Sequence, residues 1–154
     1  MAVVENDALL AEYTVNYKKT HSQTLLPMLD EISNMTELDL STIDAIAVAG
    51  GPGSFTGLRI GSATAKGLGL ALEKPLISIP TTAAIAYNIW DTNKFVCPIM
   101  DARRNQVYTG VYCYTDHRLD TVWEQDTMSI EALAEGLNCL DHEVIFLGDG
   151  VAVY

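Results

Sequence analysis

The segment from Ala45 to Leu72 carries the residues whose types and spacing could do chemistry. Gly50, Gly51 and Gly53 follow an apolar run and precede a helix-like segment. Glycine permits positive φ and lets backbone N–H groups approach an anion closely, and helix N-termini attract anions. These glycines, with Arg59 in the first turn of the helix, form a candidate anion loop. A plain tight turn from strand to helix is the alternative, and the residues leave both open.

The glycine loop lacks the groups that common nucleotide-binding loops require. A Walker A loop ends in Gly-Lys-Ser/Thr, whereas Gly57 is followed here by Leu58 and Arg59. A G-x-G-x-x-G sequence is also absent from the segment. We therefore predict that the loop is structural, that no residue binds a cofactor and that the chain needs none.

Small residues recur every four positions along the helix after the loop, so they share one face. Glycine inside a helix costs roughly 1 kcal/mol relative to alanine, which indicates close approach of another element. That element could belong to the same domain or to a second subunit, and the spacing does not separate these two explanations. We predict a partner interface made by this stripe and the apolar positions of the preceding helix: Leu25, Met28, Leu29, Ile32, Gly57, Gly61, Ala65 and Gly69.

The order of predicted elements indicates a layered α/β protein. The strand from Ala45 to Ala49 suits burial on both faces, and the helix ending at Leu72 is apolar nearly all round, so it should be largely enclosed. A polar break over Asp91–Lys94 predicts domains over residues 1–93 and 94–154. The other predicted elements are a hairpin within Ala2–Val15, a strand over Leu76–Ile79, a helix over Thr81–Trp90, a hairpin of Phe95–Met100 with Gln106–Thr115, a helix capped by Ser129 and a strand over Val144–Leu147.

Composition limits the functions open to this chain. It has 154 residues, is 49% hydrophobic and carries a formal net charge of −11. Such acidity disfavours binding to RNA without help and favours basic partners. Three widely spaced cysteines predict buried free thiols in a reducing compartment rather than disulfides or a zinc site. Without a membrane span or a signal peptide in the sequence, we expect a cytoplasmic protein.

The sequences GGPGSFTGLRIG, HSQTLLPML and MDARRNQVY resemble the bacterial TsaB (YeaZ) family over essentially the whole chain. The resemblance implies an α/β fold of the actin-like ATPase (RNase H-like) architecture. The family begins with a strand that ends in an Asp-Thr/Ser turn, which this sequence lacks before Ala2. We therefore expect a first domain that is nearly complete but without its first strand, and a partial second domain that stops at Tyr154.

The resemblance also implies a function in making threonylcarbamoyladenosine in tRNA. It implies a non-catalytic subunit that docks the TsaD catalytic subunit, with a TsaE-like ATPase as a further partner, tRNA bound only through the complex, and a homodimer when alone. The catalytic sister subunit carries a pair of histidines where this chain has Pro80–Ile85, so we predict no catalytic and no metal-binding residues. The alternative is an enzyme acting alone, either an actin-like nucleotide hydrolase or a metallopeptidase of the M22 glycoprotease type.

Overall fold

The computed structural model describes residues 1–15 and 21–154. The chain forms two compact units, Met1–Ser78 and Ile79–Tyr154. None of the helices in the described ranges is long and apolar enough to cross a membrane.

The first unit opens with an antiparallel hairpin. Strands β1 (Ala2–Glu5) and β2 (Ala8–Glu12) pair with Val4 opposite Leu9. Asn6 and Asp7 form the turn at φ values of 47° and 64°, a left-handed conformation that these two residue types tolerate. The hairpin predicted within Ala2–Val15 is therefore present. Helix α1 (His21–Thr36) follows and contacts both β2 and the next helix.

A strand–turn–helix–strand motif follows α1. Strand β3 (Ile46–Gly51) leads into α2 (Phe55–Leu72), and β4 (Leu76–Pro80) is hydrogen-bonded beside β3. Glu73 ends α2 in the left-handed conformation at φ 56°, with its N–H bonded to the Gly69 carbonyl.

Two expectations about β3 and α2 are wrong. Strand β3 was expected to be buried on both faces, but Ala47 and Ala49 are exposed while Ile46 and Val48 are half-buried. Because α2 packs on β3, the half-buried residues mark the covered face of the strand. Helix α2 was expected to be largely enclosed, but the Leu70 side chain is 84% exposed. Apolar composition alone does not reveal which side of such a helix lacks a neighbour.

The second unit is built on a four-stranded sheet in the order β7–β6–β5–β8. Neighbours β5–β6 and β6–β7 are antiparallel, whereas β5 and β8 are parallel. The elements are α3 (Thr81–Ala86), β5 (Phe95–Asp101), β6 (Gln106–Thr115), β7 (Arg118–Ser129), α4 (Ile130–Asn138) and β8 (Val144–Leu147).

The two faces of this sheet carry separate clusters of buried side chains. Val107 and Val111 of β6 pack with Leu133 of α4, while Tyr112 packs with Ala86 of α3 and Val96 of β5. This alternation along β6 matches the period of two in the sequence. The Ser129 hydroxyl accepts a hydrogen bond from the Ala132 N–H at 3.1 Å, so the predicted helix cap is present.

The predicted elements of this unit differ from the structure in two places. Helix α3 ends at Ala86, well before Trp90, and β7 had not been predicted as a strand. The two compact units divide between Ser78 and Ile79, before α3, because α3 contacts β5 and β6. A boundary between domains at residues 93 and 94 stays a prediction.

Candidate functional site

The glycine-rich turn is held against the first turn of α2. Ser54 caps the helix, since its hydroxyl accepts from the Gly57 N–H at 3.3 Å and its carbonyl accepts from the Leu58 N–H at 2.8 Å. Gly51 adopts φ +105°, and a Cβ there would lie 3.1 Å from Leu58 Cδ1. The backbone conformation therefore favours glycine at this position, and a side chain would also displace the end of Leu58 slightly.

The other members of the candidate anion loop are less constrained. Gly50 is exposed, and a Cβ on Gly53 would make only ordinary contact with Leu58 at 3.9 Å. The guanidinium carbon of Arg59 lies 5.2 Å from the Phe55 ring centroid, a cation–π arrangement. Anion binding by Gly50, Gly51, Gly53 and Arg59 stays a prediction, and the only contact that the described structure adds for Arg59 is aromatic.

The stripe of small residues packs inside the first unit. A Cβ on Gly69 would lie 2.8 Å from Leu76 Cδ2 and 3.1 Å from the Lys74 carbonyl oxygen. A Cβ on Gly61 would lie 3.8 Å from Val48 Cγ2, and Ala65 is buried between these positions. Gly61 and Gly69 thus have internal neighbours in β3 and at the start of β4. A partner interface at Gly57, Gly61, Ala65 and Gly69 stays a prediction.

The predicted interface residues of α1 show the same pattern. Met28 and Ile32 are buried, and Leu25 and Leu29 are half-buried. Since α1 contacts α2 and β2, these side chains serve the packing of the first unit. A partner interface at these four positions stays a prediction.

Polar groups gather where the parallel strands β5 and β8 end. The Asp101 carboxylate accepts from the Arg103 N–H at 2.7 Å and from the Tyr154 hydroxyl at 3.3 Å, and Asp149 accepts from the Asp101 N–H at 3.3 Å. Elsewhere in this unit His117 Nδ1 is hydrogen-bonded with the Asp91 carboxylate at 2.6 Å. Across residues 1–15 and 21–154, no group of three or more His, Cys, Asp and Glu side chains could hold a metal ion.

The buried cysteine of the sheet is a poor nucleophile. All three cysteines are free thiols, but Cys97 alone is fully buried, Cys113 is half-buried and Cys139 is exposed. Burial raises the pKa of Cys97 to about 11, despite a hydrogen bond with Thr109 at 3.3 Å. At neutral pH this thiol is protonated and therefore inert.

Comparison with known proteins places these features in a family. The family model described as TsaD: tRNA N6-adenosine threonylcarbamoyltransferase matches residues 8–154. The tRNA threonylcarbamoyladenosine biosynthesis protein TsaB of Bacillus subtilis is 34% identical over 154 residues, which cover 100% of this chain and 67% of that protein. This chain belongs to the TsaB (YeaZ) family. The TsaB protein of Escherichia coli is 32% identical over 94% of this chain and 64% of its own length.

A solved TsaB-family structure has the same fold. YeaZ from Pseudomonas aeruginosa superimposes with a TM-score of 0.73 at 31% identity, covering 84% of this chain and 61% of that chain. The expected actin-like (RNase H-like) α/β fold with a partial domain is thus confirmed. The chain spans about two thirds of the length of these relatives. Neither a nucleotide hydrolase nor a peptidase acting alone is favoured, because the relatives are named for tRNA modification.

The helices of this TsaB-family chain expose apolar residues that were not predicted from the sequence. Leu26 and Met35 of α1 are 55% and 78% exposed, and Phe55 of α2 is 74% exposed. With Leu70 they form what we call the exposed helix residues. The spacing of Phe55, Arg59 and the later exposed positions of α2 contained this signal, since residues three and four apart share a helix face.

Proposed function

We propose that the chain is a non-catalytic subunit of a complex that makes threonylcarbamoyladenosine in tRNA, and that it docks a TsaD-like catalytic subunit. The observation that carries this proposal is the similarity over the whole chain to a relative named for that biosynthesis. In this proposal the protein works in the cytoplasm, tRNA is bound through the complex, and a TsaE-like ATPase is a further partner.

The exposed helix residues support a docking surface on α1 and α2. Phe55 and Leu70 of α2 both stand more than half exposed, and their spacing puts them within about 60° of each other around the helix. Met35 of the contacting helix α1 is also more than half exposed, whereas Leu26, nine residues before it, lies on the opposite side of α1 and is outside this surface. Covering such side chains would remove apolar surface from water at about 25 cal/mol per Å². The stripe of Gly61, Ala65 and Gly69 then has an indirect role, since it seats α2 on β3 and so sets which side chains α2 exposes.

The same surface offers a site for self-association. A protein that docks a partner similar in fold through exposed apolar helices can bind a second copy of itself with the same residues. We therefore propose a homodimer when the partner is absent, in competition with the complex.

Size-exclusion chromatography of the chain with the TsaD-like subunit of the same organism tests the docking proposal. Leu70→Lys places a charge in the proposed interface without filling any internal space, so the variant should stay folded and lose co-elution. Val153→Lys, at an apolar position that is 58% exposed in the other unit, is the control and should co-elute like the wild type. Normal co-elution of Leu70→Lys would exclude this face of α2, and failure of the wild type to bind would contradict the proposed function.

A further inference from the structure

The turn between β5 and β6 presents two adjacent arginines that form no ion pair with the residues described in the structure. Arg103 and Arg104 are both exposed. Among the described residues Lys94 and Glu143 form an ion pair at 3.1 Å, His117 contacts the Asp91 carboxylate, and neither Arg103 nor Arg104 takes part in such a contact.

The backbone of this turn is held in an unfavourable conformation. Arg103, Arg104 and Asn105 have φ values of 65°, 54° and 58°, in the left-handed region. Tight hairpin turns of this type normally carry glycine, asparagine or aspartate, because other side chains are strained there. Asparagine fits that rule and the two arginines do not. Local strain of this kind is typical of positions that serve a function.

Hydrogen bonds fix the strained turn in one arrangement. The Gln106 N–H donates to the Arg103 carbonyl at 3.0 Å, and the Ala102 N–H donates to the Gln106 carbonyl at 2.9 Å. The Asp101 carboxylate accepts from the Arg103 N–H and from the Tyr154 hydroxyl, so part of its hydrogen-bonding capacity is already used. The two arginine side chains therefore project from a rigid base, which lowers the entropy lost when they bind a ligand.

We propose that the Arg103–Arg104 turn binds the phosphate backbone of the RNA that the complex modifies. This inference rests on the proposed function. The guanidinium group is planar, permanently charged and able to bind a phosphate through two parallel hydrogen bonds. Because the whole chain is acidic, this contact adds to RNA affinity only when another subunit supplies most of the positive charge.

The side chains of the turn itself favour RNA over an acidic protein surface. The exposed residues from Arg103 to Gln106 are all polar, and the neighbouring exposed Asp101 carboxylate is hydrogen-bonded to the Arg103 N–H and the Tyr154 hydroxyl. A protein interface of ordinary affinity is built around buried apolar and aromatic side chains, which this turn does not offer. Phosphate contacts need only charge and hydrogen-bond donors, and they are independent of base sequence.

The test measures binding of an unmodified tRNA transcript to the assembled complex of this chain with its TsaD-like subunit. In the variant Arg103→Gly/Arg104→Gly, glycine relieves the backbone strain, so the hairpin should form at least as well. We expect the complex to assemble normally, its RNA affinity to fall roughly tenfold, and the slope of log affinity against log salt to fall by about 1 per arginine removed.

Arg118→Ala provides the control. Arg118 is exposed and has no ion pair among the described residues. It pairs with Thr115 at the end of β6 that is farther from Arg103 and Arg104. Its removal should change RNA affinity less than twofold.

Three other outcomes would overturn the inference. Unchanged affinity and salt slope in the double glycine variant would exclude an RNA contact. Loss of complex assembly in that variant would show that the turn docks a protein instead. Failure of the wild-type chain to assemble would contradict the proposed function itself, and this inference with it.

Discussion

Gly51 is the residue of the glycine-rich turn at which an L-amino acid would be most strained. Its φ of +105° is strained for any side chain, and an added Cβ would lie 3.1 Å from Leu58 Cδ1. We expect Gly51→Ala to lower the free energy of unfolding by about 1–3 kcal/mol. Gly53→Ala should change it by less than about 1 kcal/mol, because its Cβ would have room. Urea titrations compare the two variants.

Nucleotide titration of the same variants tests whether the turn is only structural. We expect calorimetry with ATP and Mg²⁺ to show little heat for the wild type and for Gly53→Ala. Micromolar affinity in the wild type that is lost in Gly53→Ala would show that the turn is a working phosphate site instead.

Cys97 makes stability depend on pH in the alkaline range. Burial raises its pKa from 9.0 to about 11, so between these values the unfolded chain loses a proton that the folded chain keeps. The free energy of unfolding should therefore be unaffected by this thiol below pH 9 and fall by about 1.4 kcal/mol per pH unit up to pH 11. Cys97→Val should reduce that slope, whereas the exposed Cys139→Ala should leave it unchanged. Equal slopes in all three proteins would contradict the assignment.

Glycines allow helix α2 to pack closely on its sheet, and two of them differ in how much room there is for a side chain. A Cβ on Gly69 would come within 2.8 Å of Leu76 Cδ2, but a Cβ on Gly67 would meet nothing within 4 Å. We expect Gly69→Ala to destabilise the protein by about 1–3 kcal/mol. Gly67→Ala should stabilise it by up to about 1 kcal/mol, because alanine favours the helix. Thermal or urea unfolding of both variants measures these changes in stability. A neutral Gly69→Ala would mean that α2 is not held by this contact.

Strand β6 carries two tyrosines on one face with different hydrogen bonding. The Thr82 hydroxyl donates to Gln125 Oε1 at 3.0 Å, so the Tyr112 hydroxyl donates to Thr82 at 2.7 Å. The Tyr114 hydroxyl is buried and has no partner among the described residues. We expect Tyr112→Phe to cost about 1 kcal/mol and Tyr114→Phe to be neutral or stabilising by a similar amount. The opposite order in urea unfolding would contradict this.

The elements with strong local signals were predictable from the sequence. Glycines marked the turn before α2, Ser129 marked the start of α4, and alternation marked β6, because each signal acts through neighbouring residues. Strand β7 was missed because its exposed acidic residues, among them Glu124 and Asp126, interrupt the apolar pattern. The exposed side of α2 could not be assigned, since it depends on where β3 and β4 lie.

At the scale of the whole molecule, net charge and local charge act in opposite directions. Acidic residues outnumber basic ones by 20 to 9, and the edge strand β7 adds exposed carboxylates at Asp120, Glu124 and Asp126. Repulsion between this charge and RNA phosphates is long-ranged at low salt and is screened beyond about 8 Å at physiological salt. Two arginines on one turn cannot reverse it, so any RNA contact that they make depends on the other subunits.

The isolated chain should therefore bind tRNA weakly. Nonspecific affinity for nucleic acid comes from positive groups that displace counterions from the phosphates, and a chain with a charge of −11 has few such groups to contribute. We expect an unmodified tRNA transcript to show no saturable binding below micromolar concentrations at about 150 mM salt, and lowering the salt should strengthen binding only slightly because few counterions are released. Fluorescence anisotropy over a salt series measures both quantities, with the assembled complex as the positive control. Submicromolar binding by the chain alone with a steep salt slope would show that its basic groups form an RNA surface without a partner.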